Sequence, residues 1–329
     1  MRGLHRAELP VEGQLPALDG ATGWLGTVPL TPADLRGRVV LVSFWTYSCV
    51  NWVRTLPYLR AWADRYRDSG LVVLGVHTPE FGFEADVDNV RQAVQAMGIG
   101  YPVALDSRYA VWRAFDNHYW PALYVVDHEG RIRHHQYGEG DYERSEMVLQ
   151  RLLTDAGAEV TDELAIVTAD GIEAAADWAT LRSPETYVGH ARAERFVSPG
   201  GLVADAAARY ASPGDLRLNE WGLAGDWTVG AEAAVLGEAE GRIAFRFQAR
   251  DVNLVMGPGR HGGAVAFRVL VDGRSPGAAA GSDVDEDGIG TMGEPRCYQL
   301  VRQPAEVTER TCEVVFQDTG VEAFVFTFG

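Results

Sequence analysis

The chain has 329 residues, 47% hydrophobic and 23% charged, and carries a formal net charge of −17. That length suggests roughly two domains with cores large enough to need no disulfide staples. The acidic balance excludes nucleic acid and anionic membrane surfaces as natural partners, and the absence of Lys excludes Schiff-base chemistry.

The N-terminal MRGLHRAELP lacks the apolar centre of a secretion signal. No stretch reaches the roughly 18 apolar residues of a membrane helix. A cytoplasmic location without membrane insertion is therefore expected. VVLVSFW (39–45) is a continuous apolar run, as a strand buried on both faces requires. Residues 49–67 read as a helix, with Val50, Val53, Leu56, Leu59 and Trp62 at three-residue steps and Pro57 inside it. LVVLGVH (71–77) is a second buried strand, and residues 84–97 a helix closed by Gly98. A short strand at 101–105 precedes a helix through Phe115 that Ser107 can cap. Residues 122–127 form a strand after Pro121, the turn 128–130 leads into a strand at 131–137, and a helix at 141–155 closes the unit. This alternation implies an α/β layered domain over residues 1–155.

Residues 156–198 lose periodicity and read as a packed connector. Residues 199–329 read as a second domain in which the period becomes two after Leu216, with strands expected at 227–235, 243–247, 264–271, 298–302, 312–316 and 323–328. Short strands with Gly-rich turns suggest an all-β sandwich of jelly-roll type.

Of the three cysteines, Cys49, Cys297 and Cys312, Cys49 stands where a buried strand gives way to a helix. The N–H groups and dipole of a helix start favour an anion, so a thiolate there is stabilised and nucleophilic. A buried, inert cysteine is the alternative reading of that position.

FWTYSCVNWVRTLPYL (44–59) resembles the active-site segment of TlpA-like thioredoxins, and is especially similar to the redox domain appended to DipZ-type cytochrome c biogenesis proteins, W-T-x-x-C-x-N-C-x-R-x-x-P. GVHTPEF (75–81) matches that family's second strand and acidic loop, and NHYWPALYVVD (117–127) the segment of its cis-proline, here Pro121. The likeness spans about residues 10–155, and the β-sandwich accompanies such a redoxin in some relatives. It implies a thioredoxin-like fold with Cys49 as the reactive thiol. It also implies Glu80 as a proton acceptor near the sulfur, and a cis Pro121 exposing the Trp120 backbone to a substrate strand. One departure is sharp: Trp52 stands where a dithiol enzyme has the second cysteine that resolves a mixed disulfide.

Three readings follow. The first is a monothiol oxidoreductase whose Cys49 forms a mixed disulfide with a small thiol or a protein thiol, resolved by an external thiol. The second is a one-cysteine peroxidase acting on peroxide, with Thr46 and Arg54 (or Arg113) stabilising attack, although Val42 replaces the proline expected before that Thr. The third is a non-catalytic binding module. Trp52, Trp120, Pro121 and Tyr47 are the candidate substrate-binding residues. No motif calls for a cofactor, and none sets the oligomeric state.

Weaker patterns remain. Asp283, Asp285 and Asp287 with Glu294 have calcium-loop spacing without flanking helices, so an acidic hairpin loop is the plainer reading. His134 and His135 should point to opposite faces of a strand and make no metal site. His77 reads as a satisfied core or loop histidine. Asn219, Trp221, Asp226 and Trp227 resemble the mix found in sugar-binding sandwiches, or are core. VMGPGRHGG (255–263) reads as a turn. Cys297 and Cys312 are expected on neighbouring strands of a hairpin, reduced and buried.

Overall fold

The computed structural model describes residues 8–259 and 263–329. The chain divides into two compact units, Met1–Glu173 and Ala174–Gly329. Among the described residues no helix is long and apolar enough to cross a membrane.

The first unit contains β1 (Gly13–Gln14), β2 (Gly23–Leu25), β3 (Val39–Trp45), α1 (Val50–Tyr66), β4 (Leu71–His77), α2 (Val87–Ala96), β5 (Val103–Leu105), α3 (Ala110–Ala114), β6 (Ala122–Val126), β7 (Arg131–Tyr137) and α4 (Tyr142–Asp155). The sheet order is β1-β7-β6-β3-β4-β5-β2. β3, β4 and β5 run parallel, and β6 and β7 antiparallel to their neighbours. This is a thioredoxin-like α/β fold. β3 is apolar at every position but Ser43 because it feeds two cores. Val39, Leu41 and Trp45 enter the core shared with α1 and α4, while Val40, Val42 and Phe44 enter the one shared with α3. α1 runs through Pro57, whose ring nitrogen cannot return a bond to the Val53 carbonyl.

Two helices differ from the sequence reading. The predicted 84–97 helix is a 3-10 turn, Gly82–Ala85, followed by α2, because the Asp86 side chain accepts the Asp88 N–H and starts the helix there. Ser107 does not cap α3. The buried Asp106 carboxylate accepts the N–H groups of Val111 and Trp112 instead, at 3.0 and 2.7 Å.

The stretch read as a connector divides between the units. In residues 156–173, Ala158, Val160, Ala165 and Ile172 pack on the α1/α4 core, and Gln150 and Arg60 bond the Glu163 carbonyl and the Glu173 carboxylate. Residues 174–198 belong to the second unit. There Ser183 bonds Asn219 and the Gln248 N–H, and Val188 is fully buried.

The second unit is an antiparallel β-sandwich of β8 (Thr186–Tyr187), β9 (Ala207–Tyr210), β10 (Trp221–Val229), β11 (Ala234–Leu236), β12 (Arg242–Phe247), β13 (Asp251–Gly257), β14 (Val265–Val271), β15 (Ile289–Met292), β16 (Arg296–Arg302), β17 (Arg310–Phe316) and β18 (Glu322–Phe328). Pairing follows β15-β14-β17-β12-β10-β11-β18-β13-β16, with β8 on β18 and β9 on β10. β10 serves both halves of this curled sheet. Its first residues pair with β12 and its later ones with β9 and β11, the change falling at Gly225, whose φ of +98° suits glycine.

Three expectations for this unit are corrected, and a fourth is settled between its two readings. Residues 227–235 are a hairpin, not one strand. β13 was unforeseen: all seven of its residues are buried, so it lacks a polar alternation, and it takes in the first part of the 255–263 stretch read as a turn. Residues 260–262 of that stretch lie outside the described residues. Cys297 and Cys312 do not share a hairpin, since β16 pairs with β13 whereas β17 pairs with β12 and β14. Trp221 and Trp227 are fully buried core, Asn219 bonds Ser183, and Asp226 pairs with Arg209, so no sugar-type surface forms from them.

Candidate active site

Cys49 is the N-cap of α1, in extended conformation, and is partly exposed. Its carbonyl accepts the N–H groups of Trp52 and Val53, at 3.1 and 2.9 Å, and its own N–H reaches the Thr46 carbonyl at 3.3 Å. The first turn of α1 has no acidic side chain, so nothing there offsets the positive end of the helix behind residue 49. The antiparallel pairing of Phe44 with Ala122 sets Pro121 opposite Trp45, at the end of the sheet from which the Cys49 loop departs. The Trp120–Pro121 peptide is cis.

Several residues singled out from the sequence sit elsewhere. Trp52 is fully buried and stacks on Trp45 at 4.2 Å between ring centroids, its indole N–H donating to the Ser43 hydroxyl. It belongs to the core beneath the site and forms no wall of a groove. Tyr47 is also buried, stacked on His77. Arg54 is 2% exposed at its side chain and forms a 3.0 Å ion pair with Glu139; burial raises the Glu139 carboxyl above the usual range, with Arg54 working against that shift. Arg113 is exposed and donates to the Arg108 carbonyl. The Trp120 indole donates to the Thr78 carbonyl and packs on Trp112, with ring centroids 4.2 Å apart, so the ring belongs to the aromatic group around α3.

A buried acid at this end of the sheet is Glu84, which the sequence reading missed in favour of Glu80. Glu80 is half-buried, and its backbone N–H donates to the Glu84 carboxylate at 2.6 Å. Glu84 is fully buried and also accepts from the Phe81 N–H at 2.9 Å and the Ser48 hydroxyl at 2.5 Å. Burial pushes its carboxyl upward against bonds from Ser48, Thr46 and the two backbone groups. The sequence carried no clear signal for it: Glu84 lies three residues after Phe81 and accepts its N–H, but a Phe side chain cannot complete the capping box that would mark such a turn. Thr46 is buried against this carboxyl and His77, whose Nε2 is 3.4 Å from its hydroxyl.

Burial lowers the His77 pKa from 6.5 to about 3, so the folded chain holds a neutral ring while the unfolded chain takes up a proton. The resulting stability is present above pH 6.5 and is lost as pH falls toward 3, with a slope of up to about 1.4 kcal/mol per pH unit. His77→Gln should remove that component. Denaturant midpoints of both proteins between neutral and mildly acidic pH check this, and equal slopes would contradict it.

The other thiols are buried in the second unit. Burial, and secondarily Glu313, pushes Cys312 up to about 12. The residues of the calcium-like spacing bond to other partners. Asp283 bonds Arg296 and the Gln299 N–H, Asp285 accepts the Ile289 N–H, and Glu294 faces Arg296. Asp287 joins no convergent set, since among the described residues no group of three or more His, Cys, Asp or Glu could hold a metal ion.

A cysteine at a strand-to-helix junction and a cis-proline thus stand at one end of this sheet, and they make up the candidate thiol site. The chain is similar to the following known proteins. Residues 12–135 match the AhpC/TSA family, and residues 183–329 match the thioredoxin like C-terminal domain. Thiol-disulfide oxidoreductase YkuV of Bacillus subtilis is 30% identical over 43% of this chain and 95% of YkuV. Protein DipZ of Mycobacterium bovis is 36% identical over 98% of this chain, which spans 44% of the length of DipZ. A solved thioredoxin-like protein in the oxidized form is 30% identical, with a TM-score of 0.41, over 45% of this chain and 99% of that one. The chain belongs to the thioredoxin-like family of thiol-disulfide oxidoreductases.

Proposed function

We propose that this protein is a monothiol oxidoreductase working through Cys49. The Cys49 thiolate attacks one sulfur of a disulfide, forming a mixed disulfide and releasing the other sulfur as a thiolate that takes up a proton. An external thiol then attacks the mixed disulfide, leaves with the substrate sulfur as a new disulfide, and returns Cys49 as a thiolate. The substrates are low-molecular-weight or protein disulfides, and a cytoplasmic setting would supply the resolving thiol.

The observation that carries this reading is Trp52. The position that would hold a resolving sulfur is filled by a buried indole stacked on Trp45. Thr46 and Arg54, which a peroxidase would direct at peroxide, are engaged with Glu84, His77 and Glu139, so the peroxidase reading loses its supporting groups.

Intact mass separates the readings. Incubation with oxidised glutathione should add one glutathionyl group to the wild type and none to Cys49→Ser. Dilute peroxide should leave most of the protein unmodified over the same period. Peroxide converting Cys49 to sulfenic or sulfinic acid faster than the disulfide adds would favour the peroxidase, and a Cys49 inert to both would favour the binding module.

A further inference from the structure

Two of the exposed large apolar side chains of the first unit stand together. Tyr119 is 52% exposed and Tyr137 41%, with ring centroids 4.8 Å apart. His135 continues the row, its ring 4.6 Å from that of Tyr137. Single exposed rings need no explanation, but rings set side by side are a surface that a partner can use. The row lies at the sheet end of the cis-proline: Tyr119 stands two residues before Pro121, and Tyr137 pairs with Ala122 across β6 and β7. The backbone beside the row is open as well. β1 pairs with β7 only at Arg131 and Ile132, so among the described residues the backbone from His135 to Tyr137 has no strand partner beyond β6. An open edge of this kind accepts an extended peptide through main-chain hydrogen bonds.

The charge around the row is acidic. The Asp116 carboxylate, three residues before Tyr119, is 97% exposed and has His118 at 3.4 Å. The Glu12 carboxylate meets His135 at 2.7 Å. The chain as a whole carries −17, which attracts a basic partner and repels a second copy of itself.

We propose that Tyr119, Tyr137 and His135 form a docking strip for an extended segment of a protein substrate that bears Arg or Lys. The segment adds to the open edge of β7, and its cationic side chains lie against the tyrosine rings, near Asp116 and Glu12. The inference names a substrate class for the thiol exchange proposed above, a basic protein disulfide, and rests on that reading for the exchange itself.

The test uses the full chain as wild type, Tyr119→Ser and Asp116→Asn. Fluorescein-labelled hexapeptides that alternate threonine with arginine, or threonine with glutamate, are followed by fluorescence anisotropy. Asparagine suits position 116, whose φ is +51°, and thermal denaturation checks that each variant folds. The arginine peptide should bind wild type about tenfold tighter than the glutamate peptide, and each substitution should weaken it about three- to tenfold. Equal binding of the two peptides would overturn the proposal. So would an arginine-peptide affinity that Tyr119→Ser leaves unchanged, because the acidic surface at large would then be the attractant. A wild-type dimer in sedimentation that Tyr119→Ser abolishes would give the strip to a second copy and overturn it too. If Tyr119→Ser does not fold, Asp116→Asn decides alone. Peptide binding needs no disulfide exchange. Preferential arginine binding by a protein whose Cys49 forms no mixed disulfide would therefore sink the monothiol reading and not this one, and ready mixed-disulfide formation without the preference would do the reverse.

Discussion

Trp52→Cys is expected to turn a trapping thiol into a self-resolving one and to weaken the fold at the same time. Position 52 lies three residues after Cys49 in the first turn of α1, a spacing that brings side chains together on a helix. A sulfur there can attack the Cys49 mixed disulfide, releasing the adduct and leaving a protein two hydrogens lighter than the reduced form. The cost follows from what the indole does now. It is fully buried, stacked on Trp45 and bonded to Ser43, and large-to-small changes of this kind cost about 3–5 kcal/mol. Intact mass after disulfide treatment and a denaturant curve on the reduced protein read the two effects. A stable adduct on a Trp52→Cys protein of wild-type stability would mean that position 52 neither faces Cys49 nor supports the core.

Glu139→Ala should destabilise the first unit by about 3–5 kcal/mol, because it takes an ion-pair partner at 3.0 Å from an Arg54 side chain that is only 2% exposed. Pairing the change with Arg54→Met should recover most of the loss, as the buried charge is then gone as well. Chemical denaturation of the two single variants and the double variant measures this. An unchanged midpoint in Glu139→Ala, with slower oxidation of Cys49 by peroxide, would instead make Arg54 a group that serves the sulfur.

Parts of this molecule were legible from the chain alone for a physical reason. β3, β4 and β6 are apolar at nearly every position because helices cover both faces of the sheet, and such runs announce themselves. The strand-to-helix position of Cys49 was legible because it follows one of these runs and precedes the apolar periodicity of α1. β13 has the same continuous burial, but its Asp251 and Asn253 are buried polar residues, so neither an apolar run nor an alternation marked it. Glu84 was hidden by the opposite error: a helix drawn through 84–97 puts it on a solvated first turn, whereas Asp86 delays the helix and leaves Glu84 free to turn inward. Thr46 and Arg54 were picked by motif spacing, which carries no information on which neighbour a side chain will bond. Asp283 shows the same limit. Its spacing suits a cation, yet Arg296 on β16, thirteen residues on, takes the carboxylate.

The most direct test is the fate of the isolated Cys49–glutathione adduct, prepared in the full chain and freed of excess disulfide. The proposed monothiol mechanism predicts an adduct that persists in thiol-free buffer and leaves stoichiometrically when reduced glutathione is added, regenerating free Cys49. Spontaneous loss of the adduct, with a new disulfide from Cys49 to Cys297 or Cys312, would contradict the account at its base.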